Sequence, residues 1–141
     1  MRTSAHLIFS MILAIALYTI FGHGVILIIA GGVLIDVDHY IWYATKYNDL
    51  DIKRCYKHYE ESLETNDFGK HFGILLIFHN LEFLIAMFTL SFYSKYALII
   101  LIGVLGHYIL DMIFFYKASK RFISNPSFFF WIWKNKFKNF K

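Results

Sequence analysis

The chain has 141 residues, enough for one compact domain and too few for two. Hydrophobic residues make up 58% and charged residues 17%, against about 45–50% and about 25% in soluble globular chains. One cysteine, Cys55, excludes an intrachain disulfide, and the net charge of +4 is distributed in a way that argues against nucleic acid as its cause.

Leu7 to Ile35 is almost uninterrupted apolar sequence. As one helix it would be about 43 Å long, against a bilayer core of about 30 Å. Gly22-His23-Gly24 is a turn signal near its middle, so the run divides into a short first helix, Ser4 to Phe21, and a second, Val25 to Tyr43. The unsplit helix stays open as an alternative. Arg2 precedes the run, but no small-residue cleavage site follows, so it reads as a retained membrane segment.

Ala44 to Lys70 is the one extended polar stretch. Within it, Asp51 to Leu63 places Ile52, Cys55, Tyr56, Tyr59 and Leu63 near one face and predicts an amphipathic surface helix. His71 to Phe92 and Tyr96 to Tyr116 are a third and a fourth apolar segment, joined tightly through Ser91–Lys95. The basic tail beyond Lys117 mixes Phe128, Phe129, Phe130, Trp131 and Trp133 with Lys134, Lys136, Lys138 and Lys141, the composition of a segment lying at the membrane interface. The predicted fold is all-α: about four transmembrane helices over residues 1–117 with a cytoplasmic helix in 44–70, then an interfacial tail over 118–141.

Four crossings put both termini and the 44–70 loop on one side, which then carries thirteen basic residues, with Lys95 alone on the other. Cytoplasmic loops hold the excess of Lys and Arg, so both termini are expected in the cytoplasm of a cell whose inner or plasma membrane holds the chain. A three-helix arrangement would also leave a strong bias.

Each apolar segment carries groups that lipid excludes. They are His6; Asp36, Asp38 and His39; His71, His79 and Glu82; His107 and Asp111. A charged group at a helix centre costs at least about 2.5–3.5 kcal/mol in the bilayer, so nine are not accidental. With these helix directions all nine fall in the cytoplasmic half of the membrane. Asp36 and His39, His79 and Glu82, and His107 and Asp111 are spaced three or four apart, the spacing that shares a helix face. Imidazole and carboxylate suit zinc, manganese or iron, so the nine are the candidate ligands of a mono- or dinuclear site. Mutual hydrogen bonding within the pairs, or a proton pathway, uses the same residue types. His58 reads as solvated and His23 as a turn residue.

The run Gly32-Val33-Leu34-Ile35-Asp36-Val37-Asp38-His39 resembles the Asp-x-Asp-His motif of the inner-membrane metal-dependent hydrolases of the YdjM/YbcI type. His6, His79 and His107/Asp111 match that family's early histidine, later histidine and C-terminal His-x-x-x-Asp. The likeness covers about residues 1–115. Ile35 stands where many members have proline, and His79-Asn80-Leu81-Glu82 where many have a basic stretch. The family is distantly similar to zinc-dependent phospholipase C. The resemblance implies a metal-dependent hydrolase, with zinc as the expected cofactor, acting on an ester or phosphoester such as a lipid-derived one. In that reading Asp38 or Glu82 acts as general base, and Lys53, Arg54, Lys57 and Lys70 hold a phosphate. A non-enzymatic metal or proton transporter is the alternative. The bilayer is the expected partner, and nucleic acid is not one.

Overall fold

The computed structural model describes residues 3–64, 76–119 and 127–138. These are almost entirely helical, with no strand among the described residues. In chain order the α-helices are α1 (Thr3–Ala16), α2 (Tyr18–Phe21), α3 (Ile26–Val33), α4 (Val37–Tyr47), α5 (Ile52–Glu64), α6 (Leu81–Ser91), α7 (Lys95–Ser119) and α8 (Phe128–Lys138). Single 3-10 turns join α2 to α3 and α3 to α4. Two helical stretches are long and apolar enough to cross a membrane, Tyr18–Tyr47 and Lys95–Lys117. The helices α1 and α6 are apolar but shorter. At 14 and 11 residues they reach only about 21 and 17 Å, short of a bilayer core of about 30 Å.

Small residues decide how the helices cross. A Cβ built on Gly31 would stand 2.4 Å from the Ile100 carbonyl oxygen, and one on Gly103 would stand 2.2 Å from that of Ile28. A Cβ on Gly32 would meet the Ser10 hydroxyl at 2.0 Å. The backbones of α1, α3 and α7 therefore approach as only glycine and serine permit. The order of the contacts fixes direction. Gly24 meets Ile99, and further along both helices Gly32 meets Gly103, so α3 and α7 run parallel. Ser10 meets Gly32, while Ala14 packs with Ile28, so α1 is antiparallel to α3. The chain thus reverses between Ala14 and Ile28, where Gly22 takes φ +56°, the left-handed region that glycine enters without penalty. The buried apolar centre of this packing is Ala14, Ile28 and Ile99.

Two expected helices differ in detail. The second does not run unbroken to Tyr43: Val33 leaves helical geometry at φ −121°, and Leu34–Asp36 form a 3-10 turn. The third, expected over His71–Phe92, is not helical at 76–80, and its first helical residue after them is Leu81; 71–75 lie outside the described residues. Asn80 is the cause. Its Oδ1 accepts from the Phe83 N–H at 2.7 Å, and its Nδ2 donates to the Ile77 and Leu76 carbonyls at 2.8 and 3.1 Å. This is an N-cap that also ties down the preceding bend.

The amphipathic helix expected at 51–63 is α5. Asn48 ends α4 in the left-handed conformation, and Asp51 starts α5 by accepting from the Lys53 and Arg54 N–H groups at 2.8 and 3.2 Å. Asp49 sits in the corner between them. It takes both Arg54 nitrogens at 2.7 Å, the Tyr43 hydroxyl at 3.0 Å and the Asp51 N–H at 2.9 Å. The guanidinium beside it, with the Asp51 N–H, holds its carboxyl well below the usual carboxylate range.

Candidate metal centre

Antiparallel and parallel packing bring parts of these helices and the turns beside them to a common level. The start of α1 supplies His6. The 3-10 turn after α3 supplies Asp36, and the first turn of α4 supplies Asp38 and His39. The bend before α6 supplies His79, and the middle of α7 supplies His107 and Asp111. Seven of the nine candidate ligands stand together here. His71 and Lys70 lie outside the described residues.

The centre of the site is a pair of facing imidazoles. His79 Nε2 and His107 Nε2 are 3.0 Å apart. Each ring is held from behind by a group that can only accept a hydrogen bond. His79 Nδ1 lies 2.9 Å from Asp38 Oδ2, which also accepts the Phe78 N–H at 2.9 Å. His107 Nδ1 lies 2.9 Å from the Gly32 carbonyl oxygen. Both Nδ1 atoms therefore carry the proton, and both Nε2 atoms present lone pairs to each other. Two lone pairs at that distance repel. A cation, or a second proton on one ring, removes the repulsion.

Two carboxylates border the pair: Asp36 forms a group with His79 and His107 that is close enough to hold a cation, and Asp111 forms another with His6 and His107. Asp36 Oδ1 is 3.4 Å from His107 Nε2 and 3.6 Å from His79 Nε2. Asp111 Oδ2 is 3.3 and 3.9 Å from the same two atoms. Zinc bonds of about 2.0–2.1 Å make the edge of a tetrahedron about 3.3–3.4 Å, and these separations scatter around that value. The donor set of two neutral imidazoles and two carboxylates balances the charge of a divalent cation. The backing hydrogen bonds are those that metal-bound histidines use to fix tautomer and direction.

Around this centre several buried polar atoms make no hydrogen bond, His6 Nδ1, Asp38 Oδ1 and His39 Nδ1 among them, while His6 Nε2 faces Asp111 Oδ1 at 3.2 Å. Burying such atoms unpaired is costly. His6, 1% exposed, stacks on His107 with ring centroids 3.8 Å apart. His39 meets His79 edge-on at 5.0 Å and stands 3.8 Å from Asp36.

Asp38, with His39 and His79, forms a further group close enough to hold a cation, and it also stands behind His79. Its Oδ2 backs His79 rather than joining the four convergent atoms. Asp38→Asn should therefore weaken metal binding by about 10–100-fold, the usual cost of an outer partner, without abolishing it. Equilibrium dialysis against zinc measures the difference.

Glu82 does not join the site. The expected pairing with His79 assumed one helix through both, but Asn80 starts the helix between them. Glu82 instead grips the beginning of α8: Oε1 accepts from the Ser127 hydroxyl at 2.6 Å and Oε2 from the Phe128 N–H at 3.0 Å. A carboxylate at a helix N-terminus is favourably placed. The phosphate-holding cluster is also partly committed elsewhere. Asp49 clamps Arg54, Lys57 faces Glu61 at 3.6 Å on the surface, and Lys53 is exposed. His58, expected in solvent, packs against the rings of Tyr43, Tyr47 and Tyr59 at 5.1–5.5 Å.

Two tyrosines that spacing did not single out support the centre. Tyr108 donates toward the Phe78 and Asn80 carbonyls, at 2.7 and 3.1 Å, and so satisfies the irregular backbone on both sides of His79. Non-helical backbone among apolar helices needs such partners. Tyr59, on α5, donates to the His39 carbonyl at 3.0 Å and lays its ring edge-on to His39. Burial pushes the Tyr59 hydroxyl up, which keeps it a donor. The one available signal was position: Tyr108 follows His107 directly, and Tyr59 lies on the apolar face of α5. Compared with family models, curated proteins and solved structures, the chain matches none of them.

Proposed function

We propose that this chain is a multi-pass membrane protein that binds a divalent cation, zinc in the first place, and hydrolyses an ester or phosphoester at the cytoplasmic face. The observation that carries the metal is the His79–His107 contact, with both Nδ1 atoms engaged behind it and Asp36 and Asp111 beside it. In this reading α1 together with α2, the Ile26–Tyr47 stretch, α6 together with the non-helical residues 76–80 before it, and α7 are four crossings, with α5 and α8 on the cytoplasmic surface and both termini in the cytoplasm. The excess of basic residues on that side supports the orientation.

A bound zinc ion supplies Lewis acidity and lowers the pKa of a coordinated water to about 7. The hydrolytic part of the proposal rests on the resemblance of the Asp36–His39 run and its companion histidines. His39 is the proton acceptor in this scheme, because its Nδ1 is unpaired and its side chain is 26% exposed. Asp38 orients His79, and Glu82 has no part in the chemistry. Tyr59 fixes the backbone of His39 from above.

The test is elemental analysis of detergent-purified protein, followed by a panel of phosphoesters and phospholipids before and after chelation. Stoichiometric metal and hydrolysis restored by added zinc are expected. Protein that purifies without metal and takes up none from solution ends the proposal. Zinc flux in liposomes without hydrolysis would replace the enzyme by the transporter.

A further inference from the structure

Asp111 presents its two oxygens to two different histidines. Oδ2 faces His107 Nε2 at 3.3 Å, inside the four-atom centre. Oδ1 faces His6 Nε2 at 3.2 Å, outside it. The His6 and His107 rings are nearly parallel, with an interplanar angle of 13° and centroids 3.8 Å apart. Since both Nε2 atoms lie against the same carboxylate, the two lone pairs leave the stack on the same side. Cations held by them would stand apart by about the ring separation. That matches the about 3.5–4 Å spacing of two-metal sites, where a carboxylate spans both ions.

His6 also has no other employment. Its side chain is 1% exposed, its Nδ1 has no partner, and its Nε2 has Asp111 Oδ1 at 3.2 Å. A buried imidazole serving only to pack would be replaced by an apolar ring at no cost in unpaired atoms. Its neighbours on α7 are His107 and Asp111, and its stacking partner already turns Nδ1 to the Gly32 carbonyl. The one direction with an acceptor of charge is toward Asp111 Oδ1.

We infer that His6 and Asp111 Oδ1 anchor a second divalent cation, making Asp111 a bridge between two metal ions. The inference rests on the proposed metal centre and adds to it a count and a bridging residue. Two protein ligands leave the remaining positions of this second ion to water or substrate oxygens. It is therefore the weaker of the two sites and the one open to an incoming oxyanion.

The experiment is metal titration of the purified full chain, stripped by chelation and reloaded with Mn2+, in wild type, His6→Phe and His6→Asn. Phenylalanine keeps the stack on His107 and removes the ligand nitrogens; asparagine guards against a misfit of the larger ring. Wild type should bind two Mn2+ per chain with an exchange-coupled electron paramagnetic spectrum. Each variant should bind one, with an uncoupled six-line spectrum. One ion in wild type, unchanged in both variants, overturns the second site and leaves the four-atom centre standing. Two ions retained in the variants, or none in both variants, also overturns it. No ion in wild type removes the centre itself.

Discussion

Replacing His107 with alanine should abolish stoichiometric zinc binding and every zinc-dependent activity, and His79→Ala should do the same. Each substitution removes one of two facing Nε2 atoms and leaves its backing acceptor, the Gly32 carbonyl or Asp38 Oδ2, without its ring donor. The loss should exceed the about 10–100-fold that an outer partner such as Asp38 contributes. Glu82→Gln is the informative comparison. It lies three residues from His79 yet bonds to α8, so zinc affinity should not change. Equal losses in Glu82→Gln and His79→Ala would mean that the bend, rather than the imidazole, is what matters.

The second large effect concerns packing. Gly103→Ala should destabilise the bundle at or beyond the upper end of the about 1–3 kcal/mol that overpacking costs. The added methyl would stand 2.2 Å from the Ile28 carbonyl oxygen and 2.9 Å from the Gly32 nitrogen, and neither is a side chain that can turn away. Relief requires α3 and α7 to separate, which draws His107 Nδ1 off the Gly32 carbonyl one turn further along. Thermal unfolding in detergent and zinc affinity should therefore fall together. Gly32→Ala is the sharper case because its main obstacle is a hydroxyl. The Ser10 Oγ lies 2.0 Å from the built Cβ, and Ser10→Gly in the same chain should recover much of the loss. A Gly32→Ala protein as stable and as zinc-tight as wild type would contradict the close crossing.

The parts of this architecture that were legible in the sequence are those set by periodicity and burial cost. Apolar run length located α7 to within about three residues and helical spacing located α5 to within about one, and the Gly22-His23-Gly24 signal falls within the reversal between Ala14 and Ile28. The helix directions alone put nine residues in one half of the membrane; the structure groups His6, Asp36, Asp38, His39, His79, His107 and Asp111, sends Glu82 to α8, and His71 lies outside the described residues. The His107–Asp111 pair keeps its assumed spacing because α7 is an unbroken helix there. His79–Glu82 does not, because the competing claim of Asn80 on the Phe83 N–H outweighs continuation of the helix. Local hydrogen bonding by an asparagine is compatible with either outcome, and a sequence cannot say which prevails. The two roles of a carboxylate, ligand or backing acceptor, are equally invisible: Asp36 and Asp38 are two residues apart, and a single 3-10 turn sends them to different tasks. Close backbone approach at Gly31, Gly32 and Gly103 is a relation between helices, so no local pattern announced it.

The grip of Glu82 on the first turn of α8 has a practical consequence for handling the molecule. A reporter or affinity label fused after Lys141 hangs from a helix that is fastened three residues from His79. Traffic on that handle is transmitted to the bend bearing the imidazole. A label placed directly ahead of α1 is no better, since His6 stands in the first turn of that helix. Labels are better inserted at the corner between α6 and α7, where Phe92 and Tyr93 are exposed, at the end of α6 remote from His79 and more than ten residues before His107.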